Sequence, residues 1–245
     1  MPIKLWSRSL RAAATNPFYT LTFKFAVAKL KRDASRCKSA EDYAALVFNI
    51  FKTFPLNRWK IRPMQVKEEI TELLKILLKH EPRFLLELGT AMGGTFFLLT
   101  RAAVPDATLI SVDLPRGPFG GGYLEQKMRY YETFALPRQK IHLLRMDSHE
   151  EGTLRVIRRI LDGNSLDFLF IDGDHTYEGV RKDFEMYGKL VRRGGIIALH
   201  DICPHSPEID CEVNRFWDGI KQVYQHSEIV KNCKQGWAGI GVVYV

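Results

Sequence analysis

Short apolar runs recur along this chain from residue 84 onward, and each ends in an acid or a histidine. The ends read Glu87-Leu88-Gly89, Asp113, Asp147-Ser148-His149, Asp172-Gly173-Asp174-His175 and His200-Asp201. One Asp at such an end is often only the cap of the next helix. Five ends in succession are hard to explain by capping alone. Asp172, Asp174, His175, His200 and Asp201 come from neighbouring runs and can converge on a divalent ion or a proton-transfer site. Carboxylates with an imidazole suit Mg²⁺ or Mn²⁺ better than a structural zinc, which prefers thiolates and imidazoles.

A second pattern binds rather than reacts. The run Phe84–Leu88 ends in Gly89, and Gly93-Gly94 follow just before a helical pattern through Thr95, Phe96, Leu98, Leu99 and Ala103. Gly89 permits a sharp turn. Gly93 and Gly94 leave backbone amides bare at a helix N-terminus, where a nucleotide cofactor can lie. The spacing G-x-x-x-G-G differs from the G-x-G-x-x-G of dinucleotide enzymes. Asp113 follows Gly89 by 24 residues and can accept hydrogen bonds from two ribose hydroxyls. Asp147 and Ser148, one strand further out, can reach an adenine amine.

These residues need a frame that brings strand ends to one rim. Strands are expected at Phe84–Leu88, Thr108–Asp113, Lys140–Met146, Asp167–Asp172 and Gly195–His200, alternating with helices at 94–103, 123–134, 150–161, 176–191 and 212–225. Glu228–Lys231 and Gly239–Val245 read as a closing hairpin. Alternation of this kind predicts an α/β fold: an open, mostly parallel, Rossmann-like sheet with helices on both faces. Upstream, a helix is expected from Ala40 to Phe51. Pro63 is expected to open another, with Val66, Ile70, Leu73, Leu74 and Leu77 as its buried stripe.

The set E-L-G-T-A-M-G-G-T, I-S-V-D-L-P-R-G-P-F-G-G-G-Y, R-M-D-S-H, F-I-D-G-D-H-T-Y-E-G-V and G-G-I-I-A-L-H-D resembles class I S-adenosylmethionine-dependent methyltransferases. The nearest group is the bacterial branch of cephalosporin-hydroxylase-like and sugar or macrolide O-methyltransferases. The resemblance covers residues 61–245 and implies a seven-stranded sheet with an antiparallel last strand. It implies that Glu87, Gly89, Thr90 and Gly93 hold the methionine part of S-adenosyl-L-methionine, Asp113 the ribose, and Asp147 with Ser148 the adenine side. It also implies a divalent metal, Mg²⁺ or Mn²⁺, on Asp172, His200 and Asp201. His200 stands where metal-dependent relatives more often carry an acid, so it reads as a ligand or as a general base. The catalytic candidates are His200, Asp172 and His175. The expected reaction is methylation of a hydroxyl on a small-molecule or glycan acceptor. A metal-dependent hydroxylase or hydrolase on the same sheet, and a non-catalytic membrane-associated binding protein, are the competing readings.

The 245 residues are 46% hydrophobic and 26% charged, an ordinary globular composition. Four cysteines (Cys37, Cys203, Cys211, Cys233) lack any C-x-x-C and read as free thiols in a reducing, cytoplasmic setting. The net charge of +8 belongs entirely to residues 1–38, which hold nine Lys or Arg and the single acid Asp33. The rest is balanced, so no nucleic-acid partner is expected. The division expected is a basic N-terminal helical extension, residues 1–60, and a methyltransferase domain, 61–245. In the extension Tyr19, Phe23, Ala26, Val27 and Leu30 share one helical face. That face reads first as packing on the body or in a homo-oligomer, and second as peripheral contact of residues 1–38 with an anionic membrane. Asn16-Pro17-Phe18-Tyr19 looks like the N-P-P-Y box of amino-methylating enzymes but lies far from any strand end. Residues 118–123 suit a lid over the acceptor, and Trp237 and Gln65 are weaker candidates for the pocket wall.

Overall fold

The computed structural model describes residues 17–119, 122–232 and 234–245. Its strands are β1 (Phe84–Leu88), β2 (Thr108–Val112), β3 (Lys140–Leu144), β4 (Leu166–Ile171), β5 (Val191–His200), β6 (Gln225–Ile229) and β7 (Ile240–Tyr244). They form one sheet in the order β3-β2-β1-β4-β5-β7-β6. β1 pairs in parallel with β2 and β4, β2 with β3, and β4 with β5. β7 runs antiparallel to both β5 and β6. The open, mostly parallel sheet with a reversed last strand is therefore present.

The period-2 alternation of the strands sorts the core into two layers. Leu85, Leu109, Phe168, Phe170, Ala198 and Val242 face one side. There they meet α1 (Pro17–Ala34), α2 (Ala40–Asn49), α3 (Lys67–His80), α4 (Gly94–Ala102) and the aromatic segment that holds α5 (Met128–Glu132). Leu86, Ile110, Leu169, Ile197, Leu199 and Val243 face the other side. There they meet α6 (Glu151–Leu161), α7 (Tyr177–Tyr187) and α8 (Val213–Ile220).

The N-terminal helices are part of the first layer. Ala26, Leu30, Ala40 and Val47 are buried in one cluster with Leu73, Phe96 and Phe168. Tyr19 and Phe23 meet the Trp59 ring edge-on at 5.0 and 5.3 Å, and Trp59 meets Tyr130 at 5.3 Å. Burying Leu30 alone contributes about 1.5–3 kcal/mol. The helical face expected from Tyr19 to Leu30 thus packs on the body, and residue 60 marks no break in the core. Residues 1–16, including Asn16 and the bases Lys4, Arg8 and Arg11, lie outside the described residues, as do Gly120, Gly121 and Cys233.

Several expected boundaries moved; β5, for one, begins at Val191 inside the helix expected over 176–191. α3 starts at Lys67, not Pro63. Residues 62–65 pass over the glycine turn instead, where a Cβ on Gly94 would sit 2.1 Å from the Arg62 carbonyl carbon. The helix expected over 123–134 shrinks to a 3-10 turn, Glu125–Lys127, and α5, because the Tyr123 amide is held by Asp113 at 3.0 Å. The helix expected over 212–225 stops at Ile220, and β6 begins at Gln225.

Candidate functional site

The site grows from one close backbone approach. Gly89 ends β1 with φ 88°, and a Cβ there would lie 1.9 Å from the Asp172 carbonyl oxygen. Only glycine lets the ends of β1 and β4 come this near. The result is a cavity lined by Gly89, Ala91, Asp113, Phe119, Met146, Asp147, Ser148, His149, Asp172, Gly173 and Asp174. Residues expected from four different strand ends thus meet on one wall.

Asp113 sits where a ribose acceptor was expected. Its Oδ2 accepts from the amides of Ala91 (3.2 Å) and Tyr123 (3.0 Å), and burial raises its pKa. Asp147 accepts from the His149 amide at 2.8 Å, and the Ser148 carbonyl accepts from the Tyr187 hydroxyl. The residues expected around the methionine part are placed less uniformly. Glu87 is fully buried, with the Thr90 hydroxyl beside its carboxyl. Burial pushes its pKa well above the usual carboxylate range. The Thr90 hydroxyl touches that of Ser111. Gly93 caps α4 at φ 71° and faces Tyr131, whose ring would lie 2.6 Å from an added Cβ. Glycine is needed there for the turn and for the approach of Tyr131. Glu87, Thr90 and Gly93 stand behind the cavity wall rather than on it.

The second cluster lies at the ends of β4 and β5. His200 Nδ1 is 3.0 Å from Asp172 Oδ1 and 3.2 Å from Asp201 Oδ2. One ligand atom each from Asp172, His200 and Asp201 lies within 4.8 Å of the others. His200 is 4% exposed, and its Nε2 is buried without a partner. Burial alone would lower its pKa. The charges of Asp172 and Asp201 outweigh that and raise it to about 10. Burial would raise Asp201, but the His200 charge and hydrogen bonds from His200 and His205 hold it far below the usual range. Asp201 itself has φ 62°, a strained conformation for a non-glycine residue. It is fixed there by the Ala238 amide at 3.1 Å and His205 Nε2 at 3.2 Å.

His175 joins this cluster from the loop after β4. Its Nδ1 is 3.3 Å from Asp201 and its Nε2 3.8 Å from Asp172. Its ring stacks on Phe119 at 5.1 Å. Asp174, by contrast, makes a turn leading into α7: its Oδ1 accepts from the amide and hydroxyl of Thr176, the helix N-cap, at 2.9 and 2.7 Å. Gln65 bridges the two halves, donating to Asp172 at 2.6 Å and accepting from Thr95 at 2.6 Å. Trp237 is 43% exposed. Two partners carry no sequence signal of their own. His205 comes from an irregular segment. Asp183, fully buried on α7, stands 3.4 Å from the His149 ring, and its contact raises the His149 pKa.

Residues 86–202 match the family model of a methyltransferase domain. The chain is 27% identical over 157 residues to the uncharacterized protein R132 of Acanthamoeba polyphaga mimivirus, a match spanning 63% of this chain and 68% of that one. Among solved structures it resembles the O-methyltransferase TomG of Streptomyces achromogenes, involved in tomaymycin synthesis and held with S-adenosylmethionine. The identity there is 18%, the coverage 86% of this chain and 91% of TomG, and the TM-score 0.54. Cofactor-bound Rv0187 from MTB gives 18% identity, coverage of 84% and 89%, and a TM-score of 0.57. The fold of this chain is that of the class I methyltransferases, and residues 86–202 match a methyltransferase-domain model.

Proposed function

We propose that this chain, a class I S-adenosylmethionine-dependent methyltransferase, methylates a hydroxyl of a sugar, glycolipid or secondary metabolite with help from a divalent ion on Asp172, His200 and Asp201. The observation that carries the reading is adjacency. Asp172 belongs at once to the cofactor-type cavity and to the cluster with His200 and Asp201. TomG, named an O-methyltransferase, supports oxygen as the accepting atom.

The chain's residues fit both groups. Glu87 is a buried carboxyl at the end of β1, close behind the cavity wall, and its charge would complement the ammonium of the cofactor's methionine part. Two carboxylates and an imidazole are a donor set for a hard or borderline cation. When bound, such an ion lowers the pKa of an acceptor hydroxyl and orients it. As a ligand of such an ion His200 would not be free to act as the base, and without the ion the charges of Asp172 and Asp201 favour its protonated form. His175 suits the proton step better. Its side chain is 25% exposed beside Asp172 and Asp201 and is kept in place by Phe119. Bound in the cavity, the cofactor would supply the methyl group, and His175 would take the acceptor hydroxyl's proton. The enzyme's main task is to align the two reactants in line.

The test uses a deuterated methyl donor with glycan and polyol acceptors, read by mass spectrometry. The expected product is a methyl ether carrying the label. Chelator should abolish it and Mn²⁺ or Mg²⁺ restore it. His175→Ala should lower kcat by about 10²–10⁴-fold, the usual worth of a general base. Full turnover in excess chelator would remove the ion and leave His175 as a metal-free base. Label on nitrogen or carbon only would overturn the choice of acceptor.

A further inference from the structure

Helix α1 is apolar on two faces, and only one is used by the core. Tyr19, Phe23, Ala26 and Leu30 face inward. The outward stripe holds Phe18, Leu21 and Phe25, exposed at 48%, 68% and 55%. Their spacing of three and four residues puts them in one line along the helix. Lys24 and Lys31 are exposed on the same helix and make no ion pair among the described residues. Lys29 and Arg32 share the one nearby acid, Asp33.

We propose that this face docks on an anionic lipid surface, with Phe18, Leu21 and Phe25 entering the interface and the lysines on the headgroups. An apolar stripe bordered by bases is the pattern of an interfacial helix. Charge selects the occupant. Nine bases against one acid in residues 1–38 are complementary to an anionic bilayer. The same charge opposes a second copy of this face, because two such surfaces would repel. The helix is firmly seated on the body, so docking would orient the whole enzyme. The Tyr19 hydroxyl donates to the Gln126 carbonyl at 3.2 Å. Leu124, 70% exposed, lies two residues before Gln126 and follows the Leu114–Phe119 segment that walls the cavity. Through this contact the docked helix is joined to the segment that walls the cavity, which suits an amphiphilic acceptor. That last step rests on the methyl-transfer reading; the docking does not.

The experiment is co-sedimentation of the full-length protein, without cofactor, with vesicles of phosphatidylcholine alone or with added phosphatidylglycerol. The wild type should pellet with the anionic vesicles only and be released by salt. Leu21→Glu with Phe25→Glu should weaken partitioning by about tenfold or more, since both apolar contacts with the interface are lost. Both sites are exposed, so the melting temperature should not change. Lys24→Glu with Lys31→Glu should weaken it as well and reduce its salt dependence. Wild type left in the supernatant at low salt, equal binding to neutral vesicles, or wild-type partitioning of both double variants would overturn the proposal. So would a dimer on gel filtration that the apolar variant dissociates while vesicle binding stays unchanged.

Discussion

Glu87 holds a fully buried carboxyl beside the Thr90 hydroxyl. Burial pushes its pKa well above the usual range and favours the protonated carboxyl. A cationic ligand group arriving beside it should drive that proton off. Titration calorimetry of S-adenosylmethionine binding in two buffers of different ionisation enthalpy measures this directly. Proton release is expected for the wild type and should vanish in Glu87→Gln; buffer-independent heats in the wild type would contradict the placement of the ammonium. His200 makes the opposite case. Its folded pKa of about 10 exceeds the unfolded value of about 6.5, so its stabilisation is complete below the lower value and is lost as pH rises through the higher. In chelator, the wild-type melting temperature should fall between pH 7 and 10, and His200→Asn should flatten that fall. A slope unchanged by the substitution would show that His200 is not the charged partner of Asp172 and Asp201. Asp172, His200 and Asp201 were legible in the sequence because each ends a strand. Gln65, His205 and Asp183 were harder to see, because their positions depend on loops and on α7 packing rather than on a local pattern.

At the scale of elements, the glycine turn decides where the site can be. Gly89 allows β1 and β4 to touch through their backbones, and Gly93 allows α4 to begin under Tyr131. Gly93→Ala places a Cβ at φ 71° against that ring. It should destabilise the cofactor-free protein by at least about 1 kcal/mol, or roughly 2–4 °C in melting temperature for a domain of this size. Loss of cofactor binding without any loss of stability would support the idea of a bare cofactor-facing glycine. The parallel core followed from the alternation of strands and helices, and the antiparallel last strand from the final hairpin pattern. The misplaced start of α3 has a local cause. Pro63 is a good first helical residue, but Gln65 is pulled towards Asp172 and Thr95, and the helix waits until Lys67. A tertiary contact outweighed a local preference at a position that touches the site.

At the scale of the molecule, charge and packing divide differently from the expected boundary at residue 60. The basic segment carries all the net charge, yet α1 and α2 share the core of the catalytic layer. The inner face of α1 was visible in the sequence as a helical stripe. The outer one was not, because Phe18, Leu21 and Phe25 are interleaved with it and blur the amphipathic pattern. The function of the whole rests on one claim, that the cavity between β1, β2 and β4 takes S-adenosylmethionine. The direct measurement is the melting temperature of the full chain with S-adenosylmethionine, S-adenosylhomocysteine or NAD. Binding only to the folded state stabilises by about 2.7 kcal/mol at a hundredfold excess over Kd. Both sulfur cofactors should raise the melting temperature, NAD should not, and Asp113→Ala should remove most of the rise. An unchanged melting curve at saturating S-adenosylmethionine, or an equal rise with NAD, would contradict it.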